Sequence, residues 1–148
     1  MDVIDRRLLT LLLDDARATY QTLGTAVRLS ANTVADRVRR LRAAGVIRGY
    51  HADLDLGVLG RGLTLLSDVR LREGVDRAAF ERGLAAVPPV VGAMRLTGDY
   101  DYQLRVVCVD TREFESVIDL LKRDHGVREL HSRLLLHEVR LGVERLIA

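Results

Sequence analysis

Apolar residues recur at helical spacing in three short runs within the first 45 residues, and this pattern limits the fold more than any other feature of the chain. The first run places four residues at i, i+4, i+7 and i+8, namely Ile4, Leu8, Leu11 and Leu12. We therefore expect a helix over about residues 2–14. Thr19 and Ser30 are residue types that cap helices, and they precede the second and third runs. The sequence predicts three short helices joined by tight turns.

The third helix lies in the stretch LSANTVADRVRRLRAAGVI. Its apolar stripe is Val34, Val38 and Leu41, and Gly45 ends it. We predict that the polar and basic residues at its start and on or near its opposite face bind double-stranded DNA: Ser30, Asn32, Thr33, Asp36, Arg37 and Arg40. Asn and Thr near a helix start suit base edges, whereas Arg donates to guanine or to phosphate. The alternative is the solvated face of an ordinary helix. The two short helices before this stretch and the wing-like segment after it favour DNA binding.

The residues after Gly45 indicate a wing and then a linker. The run VIRGYHADLDL is rich in strand formers, so it predicts a wing hairpin or an exit strand toward a second domain. Three glycines fall within residues 57–62, where few apolar residues anchor the chain. We therefore expect a winged helix-turn-helix domain over residues 1–56, a linker over 57–62 and a second domain over 63–148.

The second domain alternates strand and helix patterns. Strands are predicted over residues 63–71, 90–97, 102–109 and about 127–139. One helix carries Ala79, Phe80, Leu84 and Val87 and stops at Pro88-Pro89, and the other carries Phe114, Val117, Ile118 and Leu121 and stops at Gly126. The order βαββαβ is that of the ferredoxin-like arrangement, an antiparallel sheet with two helices on one face. The predicted fold class is α+β.

Charge is distributed unevenly along the chain. Nine arginines and five acidic residues fall within residues 1–50, which gives this part a charge of +4, whereas the whole chain carries only +2. Residues 51–148 therefore carry a charge of −2. A basic N-terminal part on a mildly acidic body favours a polyanionic partner such as nucleic acid.

Cysteine and histidine usage argues against metal binding and catalysis. Cys108 is the only cysteine, so one chain can form neither a disulfide framework nor a cysteine-rich metal site. We expect it to be a buried strand residue, and we expect a reducing, cytoplasmic setting without a signal peptide or membrane partner. Four histidines are spread along the chain, at His51, His125, His131 and His137. On one extended strand His131 and His137 would lie about 20 Å apart, too far to share a metal ion. No catalytic residue and no cofactor are predicted.

The segment LTGDYDYQLRV lies between two predicted strands. Gly98 permits close backbone approach, and either Asp99 or Asp101 suits an α-ammonium group. Tyr100 and Tyr102 suit the walls of a pocket. A plain β-turn is the alternative interpretation, because Gly-Asp is common in turns.

Three segments together resemble the Lrp/AsnC family of transcription regulators: VIDRRLLTLLLDDAR, LSANTVADRVRRLRAAGVIRGYHADLD and LTGDYDYQLRV. The resemblance covers nearly the whole chain. It implies a sequence-specific DNA-binding regulator whose C-terminal domain dimerises through its sheet, with dimers that often form octameric rings. It also implies that a small effector such as an amino acid binds between domains near residues 98–102.

Two positions depart from the family pattern. Arg28 stands at a turn position where the family usually has Gly, and Thr22 replaces the usual acidic residue of the second helix's capping box. We expect each to affect local stability rather than the DNA-binding face.

Two other functions are weighed against regulation. Sirohaem decarboxylases resemble the family in their paired domains, so an enzyme that binds a tetrapyrrole is the second hypothesis. The third is an adaptor that only oligomerises. The basic face of the third helix favours DNA binding over both.

Overall fold

Residues 1–139 and 141–147 are described by a computed structural model, which divides into two compact units. One unit comprises Met1–Asp53 together with the described residues from Val139 onward, and the other comprises Leu54–Glu138. The predicted second domain, 63–148, therefore ends later than the second unit does. A short 3₁₀ helix near the end of the chain, Val143–Leu146, belongs to the first unit and packs with its first helix, Val3–Asp14. Arg140 and Ala148, which that prediction includes, lie outside the described residues.

Three helices form the first unit: α1 (Val3–Asp14), α2 (Tyr20–Val27) and α3 (Ala31–Ala43). Each begins at a side-chain cap, and that of α1 is a capping box between Asp2 and Asp5. Thr19 and Ser30 cap α2 and α3 as predicted. The helices bury a common core of Leu8, Leu12, Leu23, Val34 and Val38. Capping and helical periodicity thus place the helix-turn-helix as the sequence predicts.

The turn between α2 and α3 is tight. Arg28 ends α2 in the left-handed conformation, with φ +58° and ψ +45°. A Cβ atom on Gly24 would lie 2.5 Å from the carbonyl oxygen of Leu29, so only glycine allows this approach. The turn therefore depends on one glycine, at Gly24, and is strained at Arg28, where glycine would be favoured.

The predicted wing is absent, and this expectation was wrong. Gly45 ends α3 with φ +72°, and the N–H of Val46 donates to the carbonyl of Leu41 at 2.9 Å. No strand forms between Gly45 and Gly62, all of which the structure describes. A strand requires a neighbour to accept its backbone hydrogen bonds, and this part of the chain supplies one short run only.

The predicted linker at 57–62 is an ordered turn, because its backbone hydrogen bonds close on themselves. The N–H of Gly60 donates to Gly57, and that of Arg61 donates to Leu56 at 2.8 Å. The Arg61 guanidinium also donates to the Val107 carbonyl and to Glu113. The boundary between the two units falls earlier, between Asp53 and Leu54.

The second unit has the predicted βαββαβ order. Its elements are β1 (Leu63–Leu71), α4 (Arg77–Gly83) with a 3₁₀ turn (Leu84–Ala86), β2 (Val90–Arg95), β3 (Tyr102–Cys108), α5 (Thr111–Asp124) and β4 (Val127–Leu134). The sheet order is β2-β3-β1-β4, and every neighbouring pair is antiparallel. β4 ends five residues before the predicted end at Val139, because Leu134 already pairs with Leu65 near the start of β1. Beyond that point β1 offers almost no further partner.

The helices cover one face of the sheet. Val69, Tyr102, Leu104 and Val106 point toward this face and pack with Phe80, Leu121 and other core residues. Alternation along the strands sends Leu66, Asp68, Arg70, Gln103 and Arg105 to the opposite face. We call this opposite side the open face. No helix in the described residues is long and apolar enough to cross a bilayer.

Candidate functional site

The exposed face of α3 carries Asn32, Asp36, Arg39 and Arg40. Arg39 donates to the Asp36 carboxylate at 2.7 Å, and both side chains are mostly exposed. Arg40 is also exposed, with its Nε 3.4 Å from the Asp36 carbonyl. Arg39 and Arg40 therefore lie on a solvent-facing surface where a polyanion can bind.

Ser30 and Thr33 lie at the start of α3, next to this face. The Ser30 hydroxyl accepts from the Thr33 N–H at 3.1 Å, and the two hydroxyls are 2.8 Å apart. Both residues are exposed, yet their hydroxyls already take part in the cap. Their predicted contacts with DNA would have to use the remaining lone pairs or proton.

Arg37, predicted on or near the face opposite the apolar stripe, turns toward the start of α1 and not toward solvent. Its Nη1 lies 2.6 Å from an Asp2 oxygen and 2.8 Å from an Asp5 oxygen, both at the start of α1. The side chain is only 19% exposed. Arg37 follows Val34 by three residues and precedes Leu41 by four, so helical geometry places it at the border of the buried stripe. It therefore joins the third helix to the first.

The carboxylates that hold Arg37 are stabilised in their charged form. The Asp5 N–H donates to Asp2, and with Arg37 this holds the pKa of Asp2 below its usual range. Burial raises the pKa of Asp5, but hydrogen bonds from the Asp2 backbone and from Arg37 outweigh it, and the net pKa is lowered. The same contacts raise the pKa of Arg37. The ion pairs of Arg37 with Asp2 and Asp5 therefore hold α3 against the start of α1.

Arg39 is a residue that the sequence reasoning missed. It follows Asn32 by seven residues and Asp36 by three, and both spacings return to the same helix face. These spacings are visible in the sequence and predict that Arg39 lies on the same face as Asn32 and Asp36. Arg42 is a further exposed arginine of α3, so the exposed cations of this helix are Arg39, Arg40 and Arg42, whereas the predicted Arg37 is mostly covered.

The segment Gly98–Asp101 links β2 to β3. Gly98 has φ +105°, a conformation that residues with a Cβ rarely adopt. The N–H of Asp101 donates to the Val69 carbonyl at 2.8 Å, and one carboxylate oxygen accepts from the Leu71 N–H at 2.9 Å. Arg77 of α4 lies 3.3 Å from the other oxygen. Asp101 therefore fastens the loop to the end of β1 and to α4.

These contacts decide the charge state of Asp101. The hydrogen bond from Leu71 lowers its pKa most, burial opposes this, and Arg77 lowers it further, so that the net pKa lies below the usual range. Asp99 differs, because its carbonyl accepts from Arg70 Nε at 2.8 Å while its exposed carboxylate has no hydrogen bond among the described residues. Of the two candidate aspartates, Asp99 has the available carboxylate.

The sequence analysis expects Tyr100 and Tyr102 to form the walls of one pocket. They lie on opposite faces of the sheet instead, so they cannot line the same pocket. The Tyr100 ring lies under the Arg70 guanidinium, 5.3 Å from it, and its hydroxyl is 3.3 Å from Glu129 on the open face. Tyr102 is buried against Phe80, and its hydroxyl donates to Glu81 of α4 at 2.6 Å. The loop thus contacts both sides of the domain.

Neither the cysteine nor the histidines form a reactive cluster in the part of the chain that the structure describes. Cys108 is buried as predicted, and burial raises the pKa of its thiol. Among residues 1–139 and 141–147 no three His, Cys, Asp or Glu side chains are grouped to hold a metal ion. The candidate sites therefore remain the α3 face and the surroundings of residues 98–102.

Two family models match the chain over most of its length. The AsnC-type helix-turn-helix domain matches residues 1–42, and the Lrp/AsnC ligand binding domain matches residues 64–143. The chain belongs to the Lrp/AsnC family. It is a DNA-binding transcriptional regulator of that type, and its C-terminal half is the family's ligand-binding domain.

Individual Lrp/AsnC relatives agree with this assignment over nearly the full chain. The leucine-responsive regulatory protein of Rhizobium meliloti is 34% identical over 143 residues, which span 95% of this chain and 92% of that protein. The regulator AldR of Mycolicibacterium smegmatis is 33% identical over 95% of this chain and 84% of its own length. A crystallised transcriptional regulator of Neisseria meningitidis, in complex with L-Met, has a TM-score of 0.89 and 30% identity, with 99% of both chains covered.

Proposed function

We propose that this Lrp/AsnC regulator acts as a homodimer, or a larger assembly of dimers, that reads DNA with α3 and responds to a small amino acid. The observation that carries the DNA-binding part is the exposed face of α3, where Arg39 and Arg40 face solvent while Arg37 is held from behind. In the proposal the protein works in the cytoplasm and catalyses no reaction.

On DNA the exposed face of α3 enters the major groove. Asn32 suits an adenine edge and an arginine suits guanine or phosphate. Ser30, Thr33 and Asp36 border the same face, and Asp36 orients Arg39 through their 2.7 Å contact. Arg37 supports this face from α1 and is not itself a contact residue in the proposal.

The open face of the sheet is the proposed dimer interface, with a second copy of the chain as its occupant. Leu66 and Met94 place apolar side chains on it. Its charged residues are already paired within the chain, since Asp68 contacts Arg133 at 2.7 Å and Arg70 contacts Glu129 at 3.2 Å. Paired charges lower the cost of burying such a surface. A two-fold axis brings the same face of both copies together, and octamers would be built from these dimers.

The amino-acid effector is proposed from two observations. The loop Gly98–Tyr102 places the available carboxylate of Asp99 beside the anchored carboxylate of Asp101. The Neisseria relative was crystallised with L-Met. An effector changes DNA affinity only when it binds one state more tightly, and by linkage DNA changes the affinity for the effector by the same factor.

The test is selection of genomic fragments bound by the purified protein, followed by fluorescence anisotropy on the fragments recovered. We expect a partly palindromic site whose half-sites are separated by about one helical turn, roughly 34–36 Å, or a multiple of it. Retention of no fragment at any amino-acid concentration would leave the oligomerising adaptor as the better hypothesis. A Soret absorption band in the protein as purified, with no tetrapyrrole added, would favour the enzyme instead.

A further inference from the structure

The segment that follows α3 is held against that helix, although it forms no wing. The N–H groups of Val46 and Ile47 both donate to the Leu41 carbonyl, at 2.9 and 3.2 Å. The Ile47 side chain packs on the core that the three helices share. These contacts fix the backbone directly before Arg48, so Arg48 has a defined position beside α3.

Arg48 and one flank of α3 line a hollow of about 490 Å³, which Tyr20 closes at the first residue of α2. Arg39 and Arg42 are the two arginines that α3 contributes to it. They are three residues apart, so they lie on neighbouring turns of the same side of the helix. None of the described residues that line the hollow is acidic. Positive charge is therefore concentrated beside the outer face of α3.

Two of these cations are available to an anion. Arg42 and Arg48 are exposed, and within residues 1–139 and 141–147 neither side chain has an ion pair or a hydrogen bond. The Arg42 guanidinium lies over the Tyr50 ring, 6.0 Å from its centre. A cation–π contact of this kind orients a cation without neutralising its charge. Arg39 differs from both, because it already pairs with Asp36.

We propose that Arg42 and Arg48 bind the phosphate backbone of DNA next to the major groove that α3 enters, with Tyr50 orienting Arg42. The inference rests on the proposed function, because it takes α3 as the helix that reads DNA. Contacts to phosphate fix the position of a protein on the duplex and carry no sequence information directly. The segment after α3 then supplies backbone contacts without forming a wing.

This assignment extends the DNA-binding surface beyond the matched domain. The AsnC-type helix-turn-helix model covers residues 1–42, so Arg48 and Tyr50 lie outside it. The sequence analysis names neither residue as a DNA contact. Their part in the surface follows from the fold, because the backbone bonds to Leu41 bring this segment back to the end of α3.

The arrangement of the cations suits a nucleic-acid strand better than a free phosphate ion. Arg39 and Arg42 are separated by a helical rise of about 4.5 Å, and Arg48 lines the same hollow from the next segment. Cations spread along a surface complement the repeated phosphates of one strand. A single phosphate ion would need several donors that converge on one point.

The experiment is fluorescence anisotropy of the full-length protein between 50 and 200 mM KCl. The duplexes are a fragment recovered by the genomic selection and a scrambled duplex of equal length and composition. Each phosphate contact makes affinity fall by about 3.5-fold over this fourfold rise in salt. Arg42→Gln and Arg48→Gln should therefore each remove about one such factor from the salt dependence. Both duplexes should be weakened equally, so the preference for the recovered fragment is unchanged.

Two sets of matched variants serve as controls. Arg42→Lys and Arg48→Lys keep the charge, so they should keep the wild-type salt dependence. Arg7→Gln removes one charge from an exposed residue of α1, which lines a different surface beside Glu144, and should also behave as wild type does. Melting temperatures equal to that of wild type check that the variants fold, as expected for exposed side chains.

Failure of the phosphate contacts and failure of the proposed function give different results. If wild type binds the fragment and both glutamine variants keep its salt dependence, the phosphate contacts are overturned while DNA reading by α3 stands. A changed preference between the two duplexes would make these arginines base readers and would equally overturn the assignment.

Inorganic phosphate at constant ionic strength tests the other source of the anion. Stabilisation of wild type by this ion, absent in the double variant Arg42→Gln/Arg48→Gln and accompanied by unchanged DNA salt dependence, would assign the hollow to a free anion and overturn the proposal. If wild type binds no DNA at all, the phosphate contacts and the proposed function fall together.

Discussion

Arg37 of α3 donates to Asp5 of α1 over 2.8 Å, and the same guanidinium nitrogen lies 2.6 Å from Asp2. α3 is therefore fastened to α1 by a partly enclosed ion cluster. Truncation of the arginine would leave two carboxylates facing each other without a cation. This relationship separates the arginines that support the DNA-binding domain from those that can touch DNA.

Arg37→Ala should lower the melting temperature of the protein by several times as much as Arg39→Ala does. The reason is that Arg37 is 19% exposed and holds two helices together, whereas Arg39 is 76% exposed and pairs only within its own helix. Differential scanning calorimetry measures both changes. Equal melting temperatures for the two variants would contradict the structural role of Arg37.

Arg39→Ala and Arg40→Ala should each weaken DNA binding without loss of stability. A base contact would cost about 1 to 3 kcal/mol and relax sequence preference, whereas a phosphate contact would lower the salt dependence by roughly one unit in log–log slope. Anisotropy titrations at several salt concentrations separate the two. Arg82→Ala, on α4, is the matched control and should bind DNA as wild type does.

Arg28→Gly should stabilise the helix-turn-helix by about 1 kcal/mol, because glycine adopts the left-handed conformation at no steric cost. Arg28 has that conformation, with φ +58°. Urea unfolding measures the gain. Arg28→Ala removes the same charge but keeps a Cβ, so a gain of equal size in that variant would assign the effect to charge and not to the backbone.

Leu66→Glu should convert the dimer to a monomer, since it places a charge in the middle of the open face where a second copy is proposed to pack. Light scattering at micromolar concentration gives the mass directly. Val58→Glu serves as the control, because Val58 is 82% exposed and lies in the turn before β1, outside the sheet. Wild type that is already monomeric would end the proposed interface.

Acid should destabilise the protein in part through Asp101. Its pKa is lowered in the folded state, mainly by the hydrogen bond from Leu71, so its contribution to stability is complete above the unfolded value of about 3.9 and is lost as the pH falls through the folded pKa. Urea unfolding at pH 7 and at pH 3 gives the loss of stability between these two pH values. We expect that loss to be smaller in Asp101→Asn than in wild type. An equal loss in Asp101→Asn and in wild type would contradict this role of Asp101.

Local chemistry made much of the fold predictable. Caps at Asp2, Thr19 and Ser30 and the apolar stripes predict the helices. The order of strand and helix patterns along the chain predicts the βαββαβ arrangement. Strand formers after Gly45 gave a wrong expectation, since a strand exists only when a partner accepts its hydrogen bonds. Propensity alone carries no information about that partner.

The sites were less predictable because they depend on contacts distant in sequence. Arg37 could have been assigned from its spacing to Val34, but its partners lie 32 and 35 residues away. Tyr100 and Tyr102 looked equivalent in sequence, yet one contacts Glu129 and the other Glu81.

The short turn between β2 and β3 has Tyr100 on one side of the sheet and Tyr102 on the other, with Asp101 between them bonded to β1. Three consecutive residues therefore connect the two faces of the sheet and β1. A substitution that shifts the backbone of this turn should therefore disturb side-chain contacts on both faces of the sheet.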